Sequence, residues 1–375
     1  MNRKFGIKLD NIDFCIVGGG IVGLSVAYVL GQNGYQGAVL EGGPYFGDQS
    51  TGRNSGVLHA GLYYPKNSLK HLTCIDGNLL WRHWAQILRI PLNPCGKFVV
   101  ARDSEERDTL DALYLRAQSN GVASVSWANR KNLEALSHFV KVDQAFFSGN
   151  SGVIDVPAAV TALRRQVESL GFLTLVNHIV QAIKPLGNEH VVSLKEGEIK
   201  ARFVINCAGH GAVSLRRQLG LTELSPVMVK GTYLRLTKKL RHPWLIYPLP
   251  GKDGLGLGIH NVLEVDGALK FGPDTEPCEN LDYQISQIAI DRIRESVHSF
   301  FYGIKPEELQ PDLSGIRSRL LYNGEPYHDF WLKGPQDHQI PGYIELCGID
   351  SPGLTAAPAL ANRVLRIVRS ELEND

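Results

Sequence analysis

The chain has 375 residues, of which 43% are hydrophobic and 21% are charged, a balance typical of a globular α/β enzyme and unlike that of fibrous or disordered proteins. Lys and Arg total 39 against 38 Asp and Glu, so the net charge of +1 creates no field that would gather nucleic acid or an anionic membrane surface. The length predicts two domains rather than one.

The first predicted element is a strand that runs into a glycine-rich turn and a helix. Residues 14–17 are apolar, Gly18, Gly20 and Gly23 follow in the spacing G-x-G-x-x-G, and residues 21–32 place their apolar positions on one helical face. The glycines permit a tight turn, the approach of a pyrophosphate to the helix N-terminus and close packing of helix on strand. This pattern predicts a dinucleotide site. The alternative is a glycine-rich turn that binds no ligand.

A carboxylate follows the second predicted strand. Glu41 lies 18 residues after Gly23, at the end of an apolar run. A carboxylate at this offset accepts hydrogen bonds from both hydroxyls of an adenosine ribose and repels a 2′-phosphate. We therefore expect a dinucleotide other than NADP.

Beyond Glu41, residues 52–64 break every periodic pattern, and their small side chains would let backbone lie against a flat ring. Helices are predicted at 68–88, 104–120, 155–170, 281–301 and 356–372, with Asp155 as a helix cap. Strands are predicted at 95–101, 144–147, 173–177, 178–184, 191–194, 202–209, 229–236, 245–249, 255–259, 268–271 and 343–347.

The order of these elements indicates a discontinuous arrangement. The glycine turn, the apolar strand that ends at Gly209 and the small-residue turn at 348–355 are remote in sequence but belong to one Rossmann-like unit. We predict an α/β fold in which a Rossmann-like domain (1–88, 151–225 and 335–375) is interleaved with an α+β substrate domain (89–150 and 226–334) built on a mainly antiparallel sheet. A nicotinamide enzyme usually completes its cofactor domain in one block, so the interleaving argues against that class.

Cysteine use and the hydropathy pattern bear on location. The six cysteines lie far apart with no C-x-x-C pair, which indicates a reducing compartment and no metal site. The first dozen residues lack an apolar leader segment, and no window of about 18 uncharged apolar residues occurs. We expect a cytoplasmic protein, at most peripheral to the inner membrane, with no nucleic-acid partner.

Several segments in combination resemble a known enzyme family. They are RNSGVLHAGLYY (53–64), CGK (95–97), LIYPLP (245–250), GLGIH (256–260), GIR (315–317) and GIDSPGLT (348–355). Together they are similar to the L-2-hydroxyglutarate dehydrogenase/oxidase family, in the D-amino-acid-oxidase clan of FAD-dependent oxidoreductases. The resemblance implies that the Rossmann-like domain is an FAD-binding domain. It also implies that the helix after the C-terminal turn directs its positive N-terminus at the flavin, where it would stabilise the anionic reduced ring.

The glycine pattern and the resemblance together assign the FAD site to residues from all three segments. They are Gly18, Gly20, Ile21, Val22, Gly23, Glu41, Gly42, Arg53, Asn54, Ser55, Gly56, His59, Val180, Ala208, Gly209, Gly315, Arg317, Ser351, Pro352, Gly353, Leu354 and Thr355.

One position departs from a related pattern. The loop at 53–64 is also similar to that of FAD-dependent glycerol-3-phosphate dehydrogenases, which carry an Arg four residues after the His. This chain has Tyr63 there, which disfavours a phosphorylated polyol and leaves room for a dicarboxylate. The chain is shorter than typical 2-hydroxyglutarate enzymes, so the identity of the hydroxy acid stays open.

The expected chemistry removes a proton from an α-hydroxyl and transfers a hydride from the same carbon to flavin N5. His59 is the predicted base or flavin-side polariser and His260 a substrate contact; each could instead be a buried histidine bonded to backbone. Arg317 resembles the Gly-x-Arg position that holds a substrate carboxylate, with a surface salt bridge as the alternative. Lys230 would hold a second carboxylate or lie at a solvated strand end. Tyr247 would close the site or pack in the core.

Three functions fit these observations. The first is oxidation of an L-2-hydroxy acid, L-2-hydroxyglutarate or a close relative, with quinone or oxygen as the electron acceptor. The second keeps the fold and oxidises a C–N bond of an amino acid or secondary amine. The third is a flavin-binding subunit that does not turn over.

Overall fold

The computed structural model describes residues 9–240, 243–250 and 258–374. Its strands, in chain order, are β1 Leu9–Val17, β2 Gly37–Leu40, β3 Val57–Leu58, β4 Leu92–Asn93, β5 Lys97–Ala101, β6 Val125–Trp127, β7 Gln144–Ser148, β8 Gly152–Ile154, β9 Leu173–Leu175, β10 Val180–Leu186, β11 Glu189–Leu194, β12 Gly197–Asn206, β13 Leu224–Leu236, β14 Leu245–Pro248, β15 His260–Leu263, β16 Leu269–Gly272, β17 Glu276–Cys278, β18 Leu309–Tyr322, β19 Glu325–Tyr327, β20 Trp331–Lys333 and β21 Tyr343–Cys347.

The α-helices of the described residues are α1 Ile21–Gln32, α2 Leu69–Leu88, α3 Arg107–Ser119, α4 Arg130–Leu136, α5 Val156–Ser169, α6 Ala212–Arg217, α7 Gln287–Phe300, α8 Pro335–His338 and α9 Gly353–Asn374. Within the same residues, no helix has both the length and the apolar character needed to cross a membrane.

The larger sheet carries the glycine turn. Its strands run in the order β10-β11-β12-β1-β2-β9, with β21 paired to β12 and β20 paired to β21. The pairs β1–β2, β1–β12, β2–β9 and β12–β21 are parallel. Phe14 and Ile16 of β1 pack into one hydrophobic core, and Cys15 and Val17 pack into another. Because both faces of the sheet are covered at this point, residues 14–17 of β1 are all apolar rather than alternating.

A second sheet in the order β15-β16-β13-β18-β19, with β17 also on β13, is antiparallel in the pairings of all six strands. A four-stranded sheet, β14-β5-β7-β6, shares a core with it that includes Phe98, Tyr247 and Phe271. A three-stranded sheet, β3-β8-β4, completes the fold. An α/β fold with a mainly antiparallel second sheet is thus confirmed; the domain boundaries stay predictions.

The observed elements correct several sequence-based ones. Helix α7 begins at Gln287 rather than at 281, because the Asp282 carboxylate accepts a hydrogen bond from the Gln284 N–H and the Ser286 hydroxyl accepts one from the Ala289 N–H. Both bonds favour a turn followed by a helix start over a continued helix. The long strand β18 was predicted only as part of an antiparallel region. The predicted strand at 255–259 lies largely outside the described residues, and β15 begins at His260.

Candidate functional site

A cavity of about 1130 Å³ lies where the larger sheet meets the second sheet. Pockets for small molecules usually measure about 300–1,000 Å³, so this one has room for a dinucleotide together with a substrate. Most of the predicted site residues line it: Gly18, Gly20, Ile21, Val22, Glu41, Gly42, Arg53, Asn54, Ser55, His59, Val180, Ala208, Gly209, Tyr247, His260, Gly315, Arg317, Ser351, Pro352, Gly353 and Leu354.

The glycine turn forms the nucleotide end of the cavity. Gly18 has a φ of +110°, and a Cβ there would overlap the carbonyl oxygen of Cys207; a Cβ at Gly23 would overlap the Gly18 carbonyl oxygen. Gly23 therefore supports the turn from behind instead of lining the cavity. Gly20 precedes α1 and provides no side-chain cap, and the Thr51 hydroxyl at the cavity wall accepts a hydrogen bond from the Ile21 N–H at 3.0 Å, so the start of this helix faces the cavity. That arrangement fits a pyrophosphate at the helix N-terminus.

Glu41 follows β2 at the same end. Its Oε2 accepts a hydrogen bond from the Gly19 N–H at 2.9 Å, and its Oε1 accepts one from the Gly43 N–H at 2.7 Å. A carboxylate oxygen has capacity for a further hydrogen bond, so both oxygens remain able to accept a ribose hydroxyl. The glycine turn and Glu41 together fit the adenosine half of FAD.

The far end of the cavity is built around the start of α9. The Thr355 hydroxyl accepts a hydrogen bond from the His59 N–H at 3.0 Å and lies 3.3 Å from the Val57 carbonyl oxygen. Thr355 therefore fixes the loop that carries His59 without lining the cavity. A Cβ at Gly315 would overlap the Arg53 carbonyl oxygen, so β18 and this loop touch through backbone. Gly56 has a φ of +66° and likewise shapes the loop from behind.

His59 is buried at this end. Its Nε2 lies 3.4 Å from the Ser351 hydroxyl, and its Nδ1 has no hydrogen-bond partner among the described residues. Burial lowers its pKa well below the ordinary value, and repulsion from a proton on Lys97 or His260 would lower it further. The imidazole is therefore neutral at physiological pH.

His260 lies on the second sheet and is held in a defined orientation. Its ring stacks on Tyr247 with the centroids 3.7 Å apart, and its Nδ1 lies 2.7 Å from the Gly258 carbonyl oxygen. Nδ1 must carry the hydrogen of that bond, which leaves Nε2 as an acceptor. Burial is the main cause that lowers the pKa of His260 to about 3.

Arg317 of β18 provides the cation. A Cβ built on Gly231 would lie 2.9 Å from both terminal nitrogens of Arg317, so the guanidinium packs directly over this glycine. Its Nη1 is buried and has no hydrogen-bond partner among the described residues. The guanidinium is permanently charged, and it has a donor nitrogen that is not bonded to any described residue and can bind a ligand. Such a group at a cavity suits a carboxylate ligand.

Lys230 does not join this group. Its Nζ donates to the Gln284 carbonyl oxygen at 3.0 Å and lies 3.8 Å from the Asp282 carboxylate, and its side chain is absent from the cavity wall. The structure gives no support to the expected contact with a second carboxylate.

Sequence reasoning assigned no site role to several residues at the substrate end. Tyr63 and Tyr64 line the cavity, and Lys97 lies behind Tyr63 and Tyr247 with its Nζ over both rings. The sequence signals for Lys97 were its place in the segment CGK, which contributes to the family resemblance, and its charge at the start of an apolar strand. Among the described residues, no group of three or more His, Cys, Asp or Glu side chains is arranged to hold a metal ion.

Comparison with known proteins agrees with this geometry. Residues 13–366 match the DAO family, described as FAD dependent oxidoreductase. An L-2-hydroxyglutarate dehydrogenase of Escherichia coli (strain K12) is 31% identical over 96% of this chain and 94% of its own length. The mitochondrial L-2-hydroxyglutarate dehydrogenase of Arabidopsis thaliana is 28% identical over 96% and 83%. A glycerol 3-phosphate dehydrogenase of Caloramator mitchellensis is 25% identical over 96% and 74%.

Among solved structures, an L-alpha-glycerophosphate oxidase of Mycoplasma pneumoniae with FAD bound superposes with a TM-score of 0.86. It is 22% identical and covers 96% of this chain and 95% of its own. A glycine oxidase of Geobacillus kaustophilus gives a TM-score of 0.81 at 21% identity, with coverages of 96% and 95%. At these identities the two likenesses establish the fold alone.

The role of Glu41 can be tested by its removal. In Glu41→Ala, FAD should bind about 10- to 100-fold more weakly, because the ribose hydroxyls lose a charged acceptor worth roughly 1.5–3 kcal/mol. The dissociation constant is measured by fluorescence titration of the FAD-free protein. Glu325→Ala, at an exposed position, is the control and should leave the constant unchanged. An unchanged constant in Glu41→Ala would remove Glu41 from the site.

Proposed function

The chain belongs to the DAO family of FAD dependent oxidoreductases, and from that premise we propose that it oxidises the C2 hydroxyl of an L-2-hydroxy acid, L-2-hydroxyglutarate or a close relative. The expectations of an FAD enzyme with this fold are confirmed. FAD supplies a hydride acceptor when bound. The observation that carries the substrate class is the Arg317 guanidinium, whose Nη1 is unpaired among the described residues, on the same cavity as two neutral imidazoles. Relatives at 28–31% identity named L-2-hydroxyglutarate dehydrogenase support it further.

Arg317 would bind the carboxylate next to the reacting carbon. Its Nη1 is unpaired among the described residues. Because residue 231 is a glycine, no side chain there displaces the guanidinium from its position. A bidentate bond to the carboxylate would fix both the position and the orientation of C2. The hydroxyl on that carbon would then be directed at the imidazoles.

The hydroxyl proton would pass to one of the two histidines. The arrangement favours His260, because the Gly258 carbonyl fixes its tautomer with Nε2 as acceptor and Tyr247 fixes its ring plane. His59 would then polarise the site from the flavin side, which is one of the two roles that its sequence position suggested. Oxygen or a quinone would accept the electrons afterwards, and re-oxidation rates measured with each distinguish the two.

The substrate class is tested by anaerobic titration of the oxidised holoenzyme. L-2-Hydroxyglutarate or a related L-2-hydroxy acid should bleach the flavin absorbance, while the D-enantiomer should not. Bleaching by glycine, sarcosine or a D-amino acid instead would select the C–N oxidase. If no donor bleaches the flavin, the protein is a non-catalytic flavin-binding subunit and the proposal fails.

The base is tested by comparing His260→Asn with His59→Asn. Loss of the general base should slow flavin reduction at saturating substrate by about 10²- to 10⁴-fold. We expect that loss in His260→Asn and a smaller one in His59→Asn, measured by stopped-flow absorbance. The reverse order would assign the proton transfer to His59.

The role of Arg317 is tested by Arg317→Lys, which keeps the charge but loses the planar fork. The KM for the hydroxy acid should rise about 10- to 100-fold, since a point charge replaces a bidentate contact. Arg235→Lys is a matched control on the same sheet, where the arginine makes an exposed ion pair with Glu264. Equal KM values in Arg317→Lys and the parent enzyme would place the carboxylate elsewhere.

A further inference from the structure

Lys97 is the most unusual charged residue of the described chain. It opens β5, has no solvent exposure, and its Nζ has no hydrogen-bond partner among the described residues. An ammonium group in such surroundings loses its hydration without a compensating acceptor, which strongly favours the neutral amine. Burial accordingly lowers the pKa of Lys97 to about 7.

The amine lies directly behind the substrate end of the cavity. Its Nζ is 4.8 Å from the ring centroid of Tyr63 and 4.5 Å from that of Tyr247, and both tyrosines line the cavity. His260 stacks on the same Tyr247 ring. Two aromatic faces partly compensate a charge on Nζ, so the protonated form is accessible without being dominant.

Within the part of the chain that the structure describes, the titratable neighbours of Lys97 supply no anion. They are His59 and Tyr63 from the loop after β3, Cys74 from α2, Cys95 from the segment before β5, Tyr247 from β14 and His260 from β15. Arg317 of β18 in turn acts on His260. Burial raises the pKa of both thiols and both phenols, so these groups are neutral at physiological pH. The two imidazoles are neutral as well. An anion that enters the cavity would therefore be the first counter-charge to reach Lys97.

We propose that Lys97 is a positioning residue that takes up one proton when a carboxylate substrate enters the cavity. The amine gains the proton from solvent, the carboxylate keeps its charge, and the proton returns to solvent when the product leaves. Arg317 is charged at all times, and Lys97 adds to it a positive charge that appears with the substrate. This inference rests on the proposed function only in that an anionic substrate binds in this cavity.

The proposal has a direct thermodynamic signature. Glutarate, which has two carboxylates and no hydroxyl to oxidise, is titrated calorimetrically into the oxidised holoenzyme at pH 7.5 in buffers of different ionisation enthalpy. We expect an uptake of roughly 0.5–1 proton per glutarate. Binding coupled to proton uptake weakens as pH rises through the pKa of the free amine, so the affinity should fall up to about tenfold per pH unit from pH 7 to 9.

Two variants separate Lys97 from the histidines. Lys97→Met should lose the proton uptake and bind glutarate more weakly. Lys97→Arg stays charged, so it should bind without uptake and with an affinity that is constant from pH 7 to 9. Retention of the flavin spectrum verifies folding, and Lys97→Arg alone decides the question if Met is not tolerated. Lys131→Met removes an exposed lysine and should behave like the parent.

Undiminished proton uptake in Lys97→Arg would overturn the proposal and assign the uptake to His59 or His260. Glutarate binding to the parent without uptake would also overturn it. If an amino acid binds in place of glutarate, the hydroxy-acid assignment fails, and proton uptake measured with that amino acid decides the role of Lys97. If neither binds, both proposals fail.

Discussion

The cavity depends on close contacts between backbone segments that are remote in sequence. At several glycines a Cβ would overlap a carbonyl oxygen from a distant part of the chain, and three of these contacts hold together segments that form the cavity. The pairs are Gly18 with Cys207, Gly77 with Thr355, and Gly315 with Arg53. They join the glycine turn to the end of β12, α2 to the start of α9, and β18 to the loop that carries His59. Because interiors of proteins are close-packed and barely compressible, these contacts leave little freedom in how the cavity walls meet.

The sequence predicted those parts of the site whose chemistry is local. The G-x-G-x-x-G spacing and Glu41 need only a strand, a turn and a helix in succession, and α1 has the bounds that its pattern predicts. Asp155 caps α5 as expected, since its carboxylate accepts a hydrogen bond from the Ala158 N–H three residues later. The start of α7 was missed because side-chain bonds of Asp282 and Ser286 compete with the helix, and periodicity does not register them.

The two lysines show where local reasoning ends. Lys230 and Lys97 both occur at or within strands, and Lys230 was the expected partner of a carboxylate. The environment of each is set by residues far away in sequence: Gln284 and Asp282 around Lys230, and Tyr63 and Tyr247 around Lys97. Burial and the lack of an acceptor within residues 9–240, 243–250 and 258–374, which single out Lys97, are properties of the assembled fold. The segment CGK (95–97) contributed to the family resemblance, but it offered no physical reason for a lysine at position 97.

The charges at the substrate end bear on which anion fits. A phosphate monoester concentrates its charge on one group and is best held by cations that converge on it, such as an arginine beside the histidine loop. This chain places Tyr63 there, and burial keeps the Tyr63 phenol neutral by raising its pKa. Arg317 lies on β18 of the second sheet, and Lys97 lies on β5 of the four-stranded sheet, behind the cavity wall. Positive charges on separate elements suit a ligand with a negative charge at each end better than one with both charges on a single group. A dicarboxylate has that distribution, so the proposed pairing of Arg317 with a protonated Lys97 would favour a 2-hydroxy diacid over glycerol phosphate.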